Sequence, residues 1–131
     1  MDAEGLTTIP SRHAPRETMD RIEAIVRAKG MTVFARIDHA AGASAVGMAL
    51  RPTELLLFGN ARAGTPLMQA EQAMGIDLPL KMLVWQDASG DTRLSWSDPH
   101  WIAKRYGQQD HPAVAAMTMA LAALADAAAA P

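Results

Sequence analysis

Residues 80–97 read LKMLVWQDASGDTRLSWS and contain the clearest structural signal in the chain. Two runs with the composition of β-strands, Leu80 to Gln86 and Thr92 to Ser97, flank the turn signal Ser89-Gly90. Strands joined by so short a connection pair antiparallel. The stretch therefore predicts a β-hairpin and, with it, a mostly antiparallel sheet.

Two further strands are predicted upstream of this hairpin. Leu55-Leu56-Leu57-Phe58 is continuously apolar, which is typical of a strand covered on both faces, so we place it centrally in the sheet. The residues up to Asp38 alternate with a period of two, which places Val33, Ala35 and Ile37 on one face of another strand.

Two long helices are predicted at the ends of the chain. The first lies between Pro15 and Gly30, and the second spans about residues 111–127, with an alanine-rich end that we expect to fray. The side chains at helical spacing that would face the sheet are Met19, Ile22, Ile25 and Val26 in the first helix and Val114, Met117, Leu121 and Leu124 in the second.

Two short helices are predicted between the strands. Asp38 is placed to cap one of them over residues 40–49. Residues 59–64 are predicted to form a loop, after which Thr65 caps a second helix with Pro66 at its first position.

With an extended segment at residues 5–10, the predicted order is strand, long helix, four strands, long helix. This order indicates one α+β domain over residues 1–131, with a mostly antiparallel sheet and the long helices packed on one face. The other face of the sheet then needs a cover. We expect that cover to be a second copy of the chain.

Composition excludes several classes of function. The twelve Lys and Arg residues are scattered and the formal net charge is −2, so no nucleic-acid partner is predicted. Because the chain has no cysteine, disulfides, thiolate catalysis, zinc–thiolate sites and iron–sulfur clusters are excluded. The acidic residues 1–5 do not resemble a secretory signal, and the apolar run at residues 112–125 is shorter than a membrane span. A cytoplasmic location without membrane contact is the expectation.

Five short segments, taken in order, carry a family resemblance. They are Asp38-His39-Ala40-Ala41, Leu50-Arg51-Pro52, Gly59-Asn60, Gly64-Thr65-Pro66-Leu67-Met68 and Asp77-Leu78-Pro79-Leu80-Lys81. Over roughly residues 15–106 the chain resembles the bacterial and archaeal family catalogued as domain of unknown function 302. The resemblance implies a fold of the TATA-binding-protein-like class, often as a homodimer, with no established activity and no DNA-binding role. Ala61 stands where the family often has proline.

Four of these segments, together with Arg62 between two of them, supply candidate site residues. The glycine-rich loop at residues 59–66, with Asn60, Arg62 and Thr65, suits an anion, although its glycines equally serve a tight turn. In Asp38-His39, an imidazole beside a carboxylate suits acid–base chemistry, although Asp38 also serves as a helix cap. Asp77 and Lys81 can pair with each other or lie in solvent.

Other candidate chemistries are weaker. The four histidines lack metal-binding spacing, so no metal site is predicted and no cofactor is identified. Ser44 lacks the closing glycine of a nucleophile elbow. An apolar cavity can be lined by large pliable side chains, although these are more often simply core; the candidates are Trp85, Trp96, Trp101, Met48, Met68 and Met82.

Three functions remain open from the sequence. We favour a homodimeric module that binds a small molecule or a protein partner where Asp38-His39, Asn60 and Asp77–Lys81 converge. The first alternative is a small acid–base enzyme, a hydrolase or isomerase, with His39 as the base and Lys81 or Arg62 stabilising an anion. The second is an assembly domain without a pocket, in which truncating Trp96 yields monomers.

Overall fold

The structure, a computed structural model, describes residues 3–131. Met1 and Asp2, part of the acidic N-terminal segment, lie outside the described residues. In chain order the elements are β1 (Leu6–Pro10), α1 (Pro15–Ala28), β2 (Thr32–Asp38), α2 (His39–Ala45), β3 (Thr53–Gly59), α3 (Ala61–Ala70), a 3₁₀ helix (Gln72–Ile76), β4 (Leu80–Gln86), β5 (Thr92–Ser97), α4 (Pro99–Arg105) and α5 (Pro112–Ala129).

The five strands form one antiparallel sheet in the order β1-β5-β4-β3-β2. The predicted hairpin is confirmed as β4 and β5, with Leu83 opposite Ser95. The strand around residues 55–58 is an inner strand as predicted, although β4 occupies the middle position. The α+β class and the predicted order of strands and long helices are thus confirmed.

The two long helices, α1 and α5, pack over one face of the sheet. Side chains from alternate strand positions meet them there, and Leu56, Phe58, Met82, Val84 and Leu94 are almost completely buried. The opposite face carries the side chains of residues 55, 57, 83 and 85, because successive side chains of a strand alternate between the two faces. Residues 55–58 were predicted to be covered on both faces of the sheet. This prediction is wrong for a single chain, because no described helix covers the second face.

Strand β2 departs from the predicted alternation. Its pairing with β3 is irregular between Val33 and Ala35, so Val33 lies opposite the buried Phe58 whereas Ala35 lies opposite Leu57. Val33 and Ala35 therefore point to different faces, contrary to the prediction. Phe34, at the irregularity, is 57% exposed. A bulge of this kind inserts one residue and re-aims the side chains beside it.

Two short helices also differ from prediction. Asp38 caps α2 as expected, its carboxylate accepting from the amide of Ala41 at 2.8 Å, but α2 ends at Ala45. Gly47 follows with φ +76°, a conformation that stops a helix. Helix α4 was not predicted, although Asp98-Pro99 is a start signal: the Asp98 side chain accepts from the amide of His100.

The C-terminal end of α5 is anchored rather than frayed. Arg21 of α1 donates from Nε to the carbonyl of Ala128 at 2.9 Å and from Nη2 to the carbonyl of Ala127 at 3.0 Å. A cation at a helix C-terminus satisfies carbonyl groups that have no partner within the helix. Ala128 is also fully buried in the core, and the predicted fraying is wrong.

Helix α5 is the one described helix whose length and composition would suit a membrane span. Of its most apolar window, 39% is buried within the domain, and a core helix passes the same test. Its inward face packs against α1, α4 and the sheet. The expected location of the protein and its lack of membrane contact stay predictions.

Candidate functional site

Helix α3 begins at Ala61, five residues earlier than predicted. Asn60 is its cap: the side-chain oxygen accepts from the amide of Arg62 at 2.8 Å, and the Asn60 carbonyl accepts from the amide of Gly64 at 3.0 Å. The predicted loop at residues 59–64 and the capping role of Thr65 are therefore wrong, since asparagine is at least as good a cap as threonine. Pro66 lies inside the helix.

A cavity of about 540 Å³ opens beside the first turns of α3. Its walls come from α3, from the strand ends and the segment before β4, and from α5. The lining residues are Met31, Phe34, Gly59, Asn60, Ala61, Arg62, Ala63, Gly64, Thr65, Pro66, Met68, Leu78, Pro79, Leu80, Ala113, Ala116, Met117 and Ala120.

Small residues on α5 make room for this cavity. Ala113, Ala116 and Ala120 follow one another at spacings of three and four, so they lie along one helix face and leave space where larger side chains would reach α3. Met68 and Met117 border that space, and methionine adapts readily to irregular shapes. The cavity is therefore apolar over most of its wall.

The polar groups of the cavity come from α3 and its cap. Asn60, Arg62 and Thr65, three of the predicted site residues, all line it. Arg62 is the single charged residue among the described lining residues. The structure thus brings one predicted segment, residues 59–66, to a concave surface.

Asp77 and Lys81 lie near the same end of the sheet but have other partners. The Asp77 carboxylate accepts from Nη1 of Arg105 at 3.0 Å and from the hydroxyl of Tyr106. That hydrogen bond to Asp77 raises the pKa of Tyr106. Asp77 therefore ties the start of β4 to the end of α4.

Lys81 does not pair with the Asp77 carboxylate, which was one of the two arrangements considered for these residues. Its Nζ donates to the backbone carbonyls of Asp77 and Pro79, both at 3.1 Å. Partial burial lowers the pKa of Lys81, and the charge of Asp77 opposes that shift. The side chain lies opposite Leu57, on the sheet face away from the helices, and does not line the cavity.

Asp38 and His39 lie at the other end of the sheet. Asp38 pairs with Glu54, whereas Asn60 follows Gly59, which pairs with Thr32. Six residues of strand, roughly 20 Å, separate the two ends. The predicted convergence of Asp38-His39 with Asn60 and Lys81 is therefore wrong. The acid–base arrangement, which requires these side chains within hydrogen-bond reach, does not form.

The predicted ring of tryptophan and methionine side chains is also not what lines the cavity. Only Met68 of that set lies there, and Trp96 belongs to the core at 7% exposure. The prediction missed Met31 and Phe34, and it missed the alanine spacing on α5, which was the available signal. Among residues 3–131, no group of three or more His, Asp or Glu side chains is placed to hold a metal ion.

The sheet face away from the helices, called the open face below, is apolar. Trp85 donates from Nε1 to the hydroxyl of Ser95 at 2.9 Å, and that hydroxyl also bonds the Thr8 hydroxyl at 2.7 Å. The polar groups here satisfy one another and leave hydrocarbon facing outward. The large apolar side chains of the open face are Leu6, Ile37, Leu55, Leu57, Leu83 and Trp85, and the charged residues Lys81 and Arg93 lie on the same face.

An antiparallel sheet with two helices on one face and a cavity at one end defines a small α+β domain. The profile of the family described as "Domain of unknown function DUF302" matches residues 7–128. The chain belongs to this family. The match extends beyond residues 15–106 at both ends.

Curated relatives carry this sequence within longer proteins. The chain is 48% identical over 102 residues to a protein of Brucella suis named fluoride-specific ion channel FluC 1, in a match covering 78% of this chain and 40% of that protein. A Brucella abortus protein of the same name is also 48% identical over 102 residues, covering 38% of its length. The chain thus spans about two fifths of the length of these relatives.

A solved structure supports the fold independently. The crystal structure of an uncharacterized conserved DUF302 protein from Bacillus stearothermophilus superimposes with a TM-score of 0.85. The superposition covers 96% of this chain and 99% of that chain, at 20% sequence identity. The likeness at this identity concerns the fold alone.

Proposed function

We propose that this chain is a homodimeric domain that binds an apolar small molecule in the cavity between α3 and α5. The observation that carries the proposal is the cavity itself. Its volume of about 540 Å³ lies within the roughly 300–1,000 Å³ typical of ligand pockets. Apolar walls with a few polar groups are also typical of such sites.

The chemistry of the walls supports an apolar occupant. Water in a cavity needs two or more polar partners, and the methionine, alanine and leucine side chains here supply none. A hydrocarbon group that displaces poorly bound water makes binding more favourable in proportion to the apolar area buried. Asn60 and Thr65 then orient the ligand at the rim.

Filling the cavity tests this function. Saturable binding of the neutral fluorescent probe N-phenyl-1-naphthylamine is expected, and Ala116→Trp is expected to weaken it by about tenfold or more, because an indole occupies the space between α5 and α3. Fluorescence titration measures both. The matched control is Ala122→Trp on an exposed part of α5 outside the cavity. Unsaturable binding to the wild type, or equal affinity in Ala116→Trp, would contradict the proposal.

The open face supports the homodimer. Monomeric proteins rarely expose large contiguous apolar patches, and such patches mark interaction sites. Two copies stacked face to face would bury both patches, with the sheets about 10 Å apart. A stable interface of this kind buries roughly 1,200–2,000 Å² in total.

The curated relatives favour a second candidate function, as a domain that works together with a fluoride channel. Among the described helices only α5 has the length and composition of a spanning segment, and its inward face is already packed into the core of this domain. We therefore assign conduction in the Brucella proteins to the part of their sequence that this chain does not match.

Co-purification tests this association. The unmatched part of the Brucella suis protein, carrying an affinity tag and expressed with this chain, is expected to retain the chain through detergent extraction and gel filtration. A tagged membrane protein of unrelated sequence serves as the control. Recovery of the chain with both proteins, or with neither, would contradict a specific association.

A further inference from the structure

We propose that the ligand of this cavity is an apolar molecule with a single carboxylate, held at the rim by Arg62. The inference rests on the proposed function and adds the chemical class of the ligand. It joins three observations: one cation at an otherwise neutral cavity, the absence of a protein partner for that cation, and a flexible apolar interior.

The charge of the cavity is unbalanced. Arg62 is the one charged residue among its described lining residues. Among the described residues, four other arginines pair with carboxylates, including Arg36 with Glu54 at 3.0 Å and Arg93 with Asp87 at 3.0 Å, whereas Arg62, like the exposed Arg16, does not. Within residues 3–131, no carboxylate lies within salt-bridge distance of the Arg62 guanidinium. A ligand anion would supply the missing partner.

A carboxylate suits this position better than a more highly charged group. The planar guanidinium forms two parallel hydrogen bonds with the two oxygens of a carboxylate. A single cation balances a single negative charge, whereas a phosphate carries more charge than Arg62 alone neutralises. Arg62 is also the second residue of α3, where the helix dipole favours an anion.

The interior suits a hydrocarbon chain or ring behind that carboxylate. Met68 and Met117 are unbranched and flexible, and Leu78 and Leu80 complete the apolar wall. Each methylene group buried there is expected to raise the affinity up to about fourfold until the cavity is full. Affinity should therefore rise along a series of straight-chain acids.

The experiment compares octanoic acid with octanol by isothermal titration calorimetry at neutral pH. The acid is expected to bind roughly tenfold or more tightly than the alcohol, since hydrogen bonds to a charged group are the stronger kind. Arg62→Gln is expected to abolish this preference by lowering the affinity for the acid to about the affinity of the same variant for octanol. The matched control is Arg16→Gln, an exposed arginine outside the cavity, which should keep the preference.

Each of the other possible results contradicts a different step of the proposal. Equal binding of acid and alcohol to the wild type overturns the carboxylate class and leaves the apolar site standing. A preference for the acid that survives in Arg62→Gln overturns the assignment to Arg62. Failure of both compounds and of N-phenyl-1-naphthylamine to bind overturns the proposed function itself.

Discussion

Phe58→Ala is expected to lower the free energy of unfolding by about 3–5 kcal/mol. Phe58 is 1% exposed and belongs to the cluster in which α1 and α5 meet the sheet, together with Met19 and Leu121. Removing its ring loses the stabilisation that burial of the ring provides, and it leaves a cavity that the surrounding helices cannot close fully. The total free energy of unfolding of a native protein is only about 5–15 kcal/mol, so this loss is a large part of it.

The matched control for Phe58→Ala is Phe34→Ala. Phe34 lies on the neighbouring strand but is 57% exposed at the bulge, so its loss should cost less than about 1 kcal/mol. Urea denaturation followed by circular dichroism measures both variants. Equal destabilisation by the two substitutions would show that the core does not lie where the structure places it.

Leu83→Asp is expected to weaken dimerisation by about 100-fold or more, because a carboxylate placed in an apolar interface loses its hydration without gaining a partner. Leu83 lies on central strand β4, directly between Leu55 and Ser95 of the neighbouring strands, and so occupies the middle of the open face. In a face-to-face dimer this position has no access to water.

Analytical ultracentrifugation over a range of concentrations measures this effect. The matched control is Met119→Asp, which places the same charge on α5 at a side chain that is 73% exposed. Circular dichroism shows whether each variant remains folded. A wild-type protein that sediments as a monomer, or a folded Leu83→Asp variant that dimerises like the wild type, would contradict the proposed interface.

The role of tryptophan in assembly changes with the structure. The sequence suggested Trp96 as an interface residue, but its burial among the core residues means that truncating it should destabilise the fold itself. Trp85, eleven residues earlier and on the other side of the sheet, faces outward instead. The two tryptophans lie on neighbouring strands but point to opposite faces of the sheet, a difference that composition alone does not reveal.

Local sequence patterns were sufficient to predict most of the elements and the fold class. The hairpin at residues 80–97, the two long helices and the cap at Asp38 follow from patterns that extend over a few residues: alternation, helical spacing and turn chemistry. Such patterns reflect local geometry and the need to bury one face of each element. They predict an antiparallel α+β fold without any knowledge of distant contacts.

Only the tertiary structure decided which residues meet. Asn60, Arg62 and Thr65 line one cavity with Ala116 of a helix fifty residues away, while His39 lies at the far end of the sheet. The bulge at Phe34 likewise depends on the pairing of β2 with β3. These outcomes are set by packing between segments distant in the chain, because strand register and helix contact, not local preference, decide where a side chain points.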